Sequence, residues 1–173
     1  MAKALEVIHW KGADTSLWMP YVPAIKVTRG HLVFIAGCTA APMYHHHPHR
    51  PEEFNTIPPG LGDQTRLALE GMQKSLEAAG GTFADVVEVT RFVTDLSQQD
   101  AMNRVWGEYF KESKPTSVTV EVKQLATDPR CKIEISAIAV VDDGTGHAAR
   151  GGPKAVAARR PARPGSARPT RRR

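Results

Sequence analysis

Cysteine is scarce in this 173-residue chain. There are two, Cys38 and Cys131, far apart in sequence and without the paired spacing of a thiolate metal site. They read as reduced thiols of a cytoplasmic protein. Long apolar runs are also missing. No stretch approaches the roughly 18 residues of a membrane-spanning helix. The start, MAKALEVIHWKGAD, has no apolar segment of signal-peptide type, so a soluble protein without membrane partners is expected. The last thirty residues, 144–173, lack any acid, any aromatic and any large apolar residue beyond Val156.

That last absence divides the chain. Lys154 and eight arginines lie in 144–173, nine of the 23 Lys and Arg residues, while all 18 acids lie in 1–143. The first 143 residues therefore carry 14 basic and 18 acidic side chains, a net charge near −4, and the tail carries +9. The pI of about 9.4 describes the tail and not the fold. A Gly/Pro/Ala/Arg-rich tail buries too little apolar surface to offset the entropy of ordering, so 144–173 is expected to be disordered. Its charge would attract RNA, DNA or anionic surfaces in a salt-dependent way, and this is the one route to nucleic acid that the sequence offers. Without aromatics to stack bases, specific recognition there is not expected. Residues 1–143 then form one domain, and the 41% hydrophobic content of the chain suffices for a core.

Within the domain, periodicity assigns the elements. Leu5–Trp10 and Ala24–Thr28 read as short strands, and Arg29–Gly30 as the turn of a hairpin whose second strand is His31–Gly37. Cys38 to Gly62 is a long proline-rich connection, and such loops are usually functional or mobile. A helix from about Gly62 to Ala79 carries the apolar stripe Leu69, Met72, Leu76 and Ala79, and Gly80–Gly81 ends it. Val86–Leu96 is a strand. Ser97–Gln98–Gln99–Asp100 reads as a capping box opening a second helix, with stripe Met102, Val105, Trp106, Tyr109 and Phe110, which Pro115 stops. Val118, Val120 and Val122 alternate with Ser117, Thr119 and Glu121, a half-buried strand. Ile133 and Ile135 alternate with Lys132, Glu134 and Ser136, and the run Ala137–Val141 then suggests burial on both faces or a bulge near Ala137. If these two strands pair, Ser117, Thr119, Glu134 and Ser136 share a polar face. Arg91, inside a strand, is open to three readings: toward a cleft, toward Glu88, or toward Glu121.

The segments PAIKVTRGHLVFIAG, QTRLALEGMQKSLEAAGGTFADVVEVTRFVTDL, DAMNRVWGEYF, PTSVTVEV and KIEISAIAVV, in this order from about Tyr21 to Val141, resemble the RidA family (YjgF/YER057c/UK114). The resemblance implies an α+β, chorismate mutase-like fold: a mixed β-sheet with two helices packed on one face. It also implies a homotrimer with small-molecule clefts between subunits. The implied activity is hydrolysis of reactive enamine or imine metabolites to keto acids and ammonia, with neither a metal nor an organic cofactor. Carried over by motif, Glu134 positions or activates water, with Tyr21 and Asn103 as its catalytic companions. Gly37 and Cys38 line the substrate, and Thr119 stands where cysteine is common.

Ser117 is the main departure. Deaminating relatives have an arginine here, whose planar fork holds a carboxylate bidentately; a serine supplies no fixed charge. The usual 2-imino acids are therefore not the expected substrates, and a ring-cleavage product such as 2-aminomuconate is an alternative. In the resembled fold the loop after Gly37 borders the cleft, so His47, His49 or Arg50 in MYHHHPHRPEEF are candidates for the missing positive group. His45, His46, His47 and His49 also carry metal-binding side chains. Contiguous residues on an extended, proline-stiffened loop are expected to point apart, however, so no metal site is assigned. Two other functions remain open at this level: a non-catalytic metabolite-binding module of the same fold, and an RNA-associated protein acting through the tail.

Overall fold

The computed structural model describes residues 4–16, 19, 21–111 and 113–142. The basic tail lies outside the described residues. Among those described are six strands: β1 (Ala4–Ile8), β2 (Ala24–Arg29), β3 (His31–Thr39), β4 (Val86–Val93), β5 (Thr116–Glu121) and β6 (Ile133–Val141). The two α-helices are α1 (Leu61–Ala78) and α2 (Gln99–Tyr109). β3, β6, β4 and β5 form a mixed sheet in that order, antiparallel except for the parallel β4–β5 pair that α2 connects. No helix among the described residues is long and apolar enough to cross a membrane.

The expected hairpin between β2 and β3 is not formed. β2 pairs with β1 in a separate two-stranded sheet, while β3 pairs with β6. Gly30, at φ 119°, supplies the left-handed turn that passes the chain from one sheet to the other.

Both helices pack on one face of the four-stranded sheet. α1 buries Leu61, Ala68, Leu69, Met72 and Leu76, and α2 buries Met102, Val105 and Trp106. They meet Ile35, Cys38, Val89, Val93, Ile133, Ile135, Ala137 and Ala139 from the sheet. Each of the larger side chains stabilises by about 1.5–3 kcal/mol through burial. α1 ends as its glycines dictate, with Gly81 N–H donating to Leu76 O at 2.8 Å. The start of α2 differs from the expected capping box. Asp95 accepts from Ser97 N–H at 2.9 Å and caps a 3-10 turn, Leu96–Gln98, that leads into the helix. The irregularity expected near Ala137 is there but lies on the partner strand, and Ala137 itself pairs with Ile35 and Val89. The register shifts lie on the partner strands, between Ile35 and Cys38 and between Val86 and Glu88.

The loop from Ala40 to Gly60 is pinned. Phe54 is fully buried beneath it. Gln64, also fully buried, donates to Pro58 O (2.7 Å) and Arg130 O (2.8 Å) and accepts from Lys132 N–H (2.7 Å). All its strong hydrogen-bonding capacity toward the loops is thus used.

The opposite face of the sheet carries no helix. The register puts Leu32, Phe34, Ile138, Phe92, Val118 and Val120 on it, interleaved with Thr90, Ser136 and Glu134. Phe34 is 73% exposed, Leu32 57% and Val118 56%.

Candidate functional site

Glu134 sits on this helix-free face, paired with Phe92 of β4 and Thr39 of β3. Its position depends on the bulge in β3. There Gly37 leaves the ladder and lies against the Glu134 side chain. A Cβ on Gly37 would come within 2.8 Å of Glu134 Cδ and would overlap Oε1. Only glycine lets the carboxylate rest on the backbone at this point. The next residue turns inward. Cys38 is 2% exposed, pairs with Ile135 on the helix side, and its thiol donates to Ala36 O at 3.4 Å. Burial, and secondarily the Glu134 charge, push its pKa up to about 11. Cys38 is therefore a neutral thiol at physiological pH and not a nucleophile.

Ser117 and Thr119 do not join Glu134. β5 and β6 are not neighbours, because β4 lies between them. Ser117 pairs with Val89 and Thr119 with Arg91, which puts both hydroxyls on the helix side, whereas Glu134 and Ser136 face the other way. The shared polar face expected from alternation is thus split across the sheet. Tyr21 belongs with the Ser117 half: the adjacent Val22 N–H donates to Pro115 O at 3.3 Å. Asn103 is half-buried on α2, one turn before Trp106.

Arg91 is the residue that pattern reading left undecided. It is 6% exposed, on the helix side of β4. Neither Glu88 nor Glu121 pairs with it: Glu88 accepts from Thr90 Oγ1 (2.9 Å) and Glu121 from Leu96 N–H (3.0 Å). Its guanidinium lies 4.5 Å over the Trp106 ring, and Nη2 donates to Ser117 Oγ at 3.3 Å. Nε and Nη1 have no hydrogen-bond partner among the described residues. Desolvation lowers its pKa to about 10, so it stays charged at neutral pH. A guanidinium therefore stands beside position 117 after all, delivered from the neighbouring strand. An arginine interrupting the apolar alternation of VVEVTRFV was the available signal.

A cleft of about 740 Å³ runs between the end of β3, the following loop and α1. Gly37, Cys38, Met43, His45, Leu67 and Lys74 are among its lining residues. Glu134 is not one of them, and of the loop's basic side chains only His45 reaches it. His47, His49 and Arg50, expected to face substrate, do not line this cleft.

The imidazoles do not all point apart, as expected from an extended loop. His46 turns away to Glu53, with Nδ1 2.7 Å from the carboxylate, which holds Glu53 below the usual carboxylate range. His45, His47 and His49 converge, with ring centroids 4.8 Å apart in all three pairs. The chain bends at His47 and Pro48, and this bend gathers three rings that an extended chain would keep apart.

The model of a family described as Endoribonuclease L-PSP matches residues 14–141. A RutC family protein of Pyrococcus horikoshii is 42% identical over 134 residues, covering 78% of this chain and 96% of that protein. The "Putative reactive intermediate deaminase TdcF" of Escherichia coli is 34% identical over 122 residues, covering 70% of this chain and 86% of that protein. Among solved structures, E. coli TdcF with bound serine is 32% identical, with a TM-score of 0.53, covering 72% of this chain and 90% of that one. A Rid family protein of Yersinia pestis, YyfB, shares the fold at a TM-score of 0.63 and 24% identity, covering 79% of this chain and 98% of that one. With nearly the whole described domain matched, this chain belongs to the YjgF/RidA family.

Proposed function

We propose that the protein is a hydrolytic deaminase of reactive imine or enamine metabolites, with Glu134 as the residue that activates water. The Glu134 carboxylate set against Gly37 carries this reading, because it places a proton acceptor on the sheet face that no helix covers. An enamine first takes a proton on carbon and becomes the iminium ion. Water then attacks the iminium carbon while Glu134 accepts one of its protons, giving the neutral carbinolamine. Return of that proton to nitrogen, with loss of the hydroxyl proton to solvent, expels ammonia and leaves the keto product. One water is consumed per C–N bond broken, and no redox partner is needed.

The site is completed between chains. Within one chain Glu134 on β6 and Ser117 on β5 lie on opposite faces two strands apart, roughly 10 Å at the usual strand spacing, with Arg91 on the intervening β4. A second copy seated on the helix-free face could bring its Ser117 half to this Glu134. Exposed Leu32, Phe34, Val118 and Val120 supply the apolar surface for that assembly, a homotrimer in the proposed form. Arg91 holds the substrate's carboxylate through Ser117. Its entry from β4 changes the pocket relative to a β5 arginine, so the 2-imino acids derived from serine and threonine are expected to be poor substrates.

The test is release of keto acid and ammonia from freshly generated imino acids of graded length, for wild type and Glu134→Gln. Acceleration lost in the variant supports the reading. Saturable binding without acceleration of any imine would instead mark a non-catalytic metabolite-binding module.

A further inference from the structure

We propose that His45, His47 and His49 form a binding site for one borderline divalent metal ion, of the zinc, cobalt or nickel class, at the rim of the large cleft. This goes beyond the hydrolytic reading and does not rest on it.

The ligand nitrogens of the three imidazoles all lie within 4.8 Å of one another. In a tetrahedral site with metal–nitrogen bonds of about 2.0–2.1 Å, nitrogens are about 3.3 Å apart. The side chains must therefore close by no more than about 1.5 Å, within reach of small χ rotations of the half-buried His45 and the exposed His47 and His49. Three neutral imidazoles with no thiolate or carboxylate among them suit borderline first-row ions and leave a coordination position for water.

The surroundings hold the rings for this task. His45 Nδ1 is 2.8 Å from Pro42 O. A carbonyl oxygen only accepts, so Nδ1 carries the proton and Nε2 keeps its lone pair for a ligand. This is the backbone-oriented arrangement usual for metal-ligating histidine. Beneath the cluster, Phe54 packs edge-on against His45 (5.2 Å) and His49 (5.3 Å) and fixes their spacing. Phe54 is itself held in a 3-10 turn, Pro51–Phe54, and Arg130 ties that turn down through Pro51 O and Asn55 Oδ1, both at 3.0 Å. The loop is thus a built platform. His46, engaged with Glu53, takes no part, and it provides an internal control one residue from two of the ligands.

The experiment is calorimetric titration of the full, untagged chain with zinc, alongside the visible spectrum of the cobalt form. One ion per chain is expected, with the intense absorption of tetrahedral cobalt. His47→Ala and His49→Ala should each weaken binding on the order of tenfold or more, and His46→Ala should leave it unchanged. Circular dichroism of each variant checks that it is folded. The proposal is overturned if wild type takes up no stoichiometric metal, or if His46→Ala weakens binding as much as His47→Ala does, since that is the behaviour of an unstructured histidine run.

Discussion

Arg91 is buried with Nε and Nη1 unpaired among the described residues, and Gly37 lies where any Cβ would meet the Glu134 carboxylate. A buried guanidinium with two unpaired nitrogens is unfavourable, and an uncharged apolar side chain of similar length would avoid the penalty. Arg91→Met should therefore leave the protein as stable as wild type or raise stability by about 1–3 kcal/mol in urea unfolding, while weakening anionic substrates in KM. The pH dependence follows from the sign of the shift. Arg91's folded pKa, about 10, lies below its ordinary value, so its charge penalises the folded state fully below pH 10. Above that the folded protein sheds the proton while the unfolded chain keeps it, and stability rises with pH. The stability gap between Arg91→Met and wild type should narrow above pH 10; a gap that widens would contradict the assignment. At Gly37 the expectation is different. A methyl there displaces the Glu134 carboxylate, so Gly37→Ala should lower kcat by about tenfold or more with little change in Tm.

At the scale of elements, the helices were legible and the strand pairing was not. The stripes Met72–Leu76 and Met102–Val105–Trp106 became the buried faces of α1 and α2, because a helix satisfies its own backbone and needs only one apolar side. Met72→Ala should accordingly cost about 2–5 kcal/mol, measurable as a fall in the urea midpoint. Strands are different, since their partners are remote in sequence. Alternation revealed β4, β5 and β6 but not that β4 separates the other two, which is why Ser117 and Glu134 were expected on one face and lie on opposite ones. The same limit hid the pairing of β2 with β1. In the histidine loop no periodicity marked the cluster, because a bend at His47 and Pro48 gathers His45, His47 and His49 where an extended chain would spread them. Gln64 went unnoticed because a polar residue in a helical stripe looks like surface until its loop partners are known.

For the whole molecule, the proposed site draws on residues from both sheet faces, Glu134 with Gly37 on the open one and Ser117 with Arg91 on the covered one. The family membership was legible in the order of the segments from Tyr21 to Val141, whereas a site shared between chains, as proposed, leaves no pattern in the sequence of one. Phe34→Asp, on the open face, should convert the oligomer to monomer by light scattering and reduce activity without unfolding the chain. Water activation by Glu134 is read most directly in the rate of ammonia release from a panel of freshly generated imines by wild type and Glu134→Gln. Wild type should accelerate release from at least one imine, and the variant should lose about a hundredfold or more at unchanged stability. Equal rates for the two proteins would contradict it.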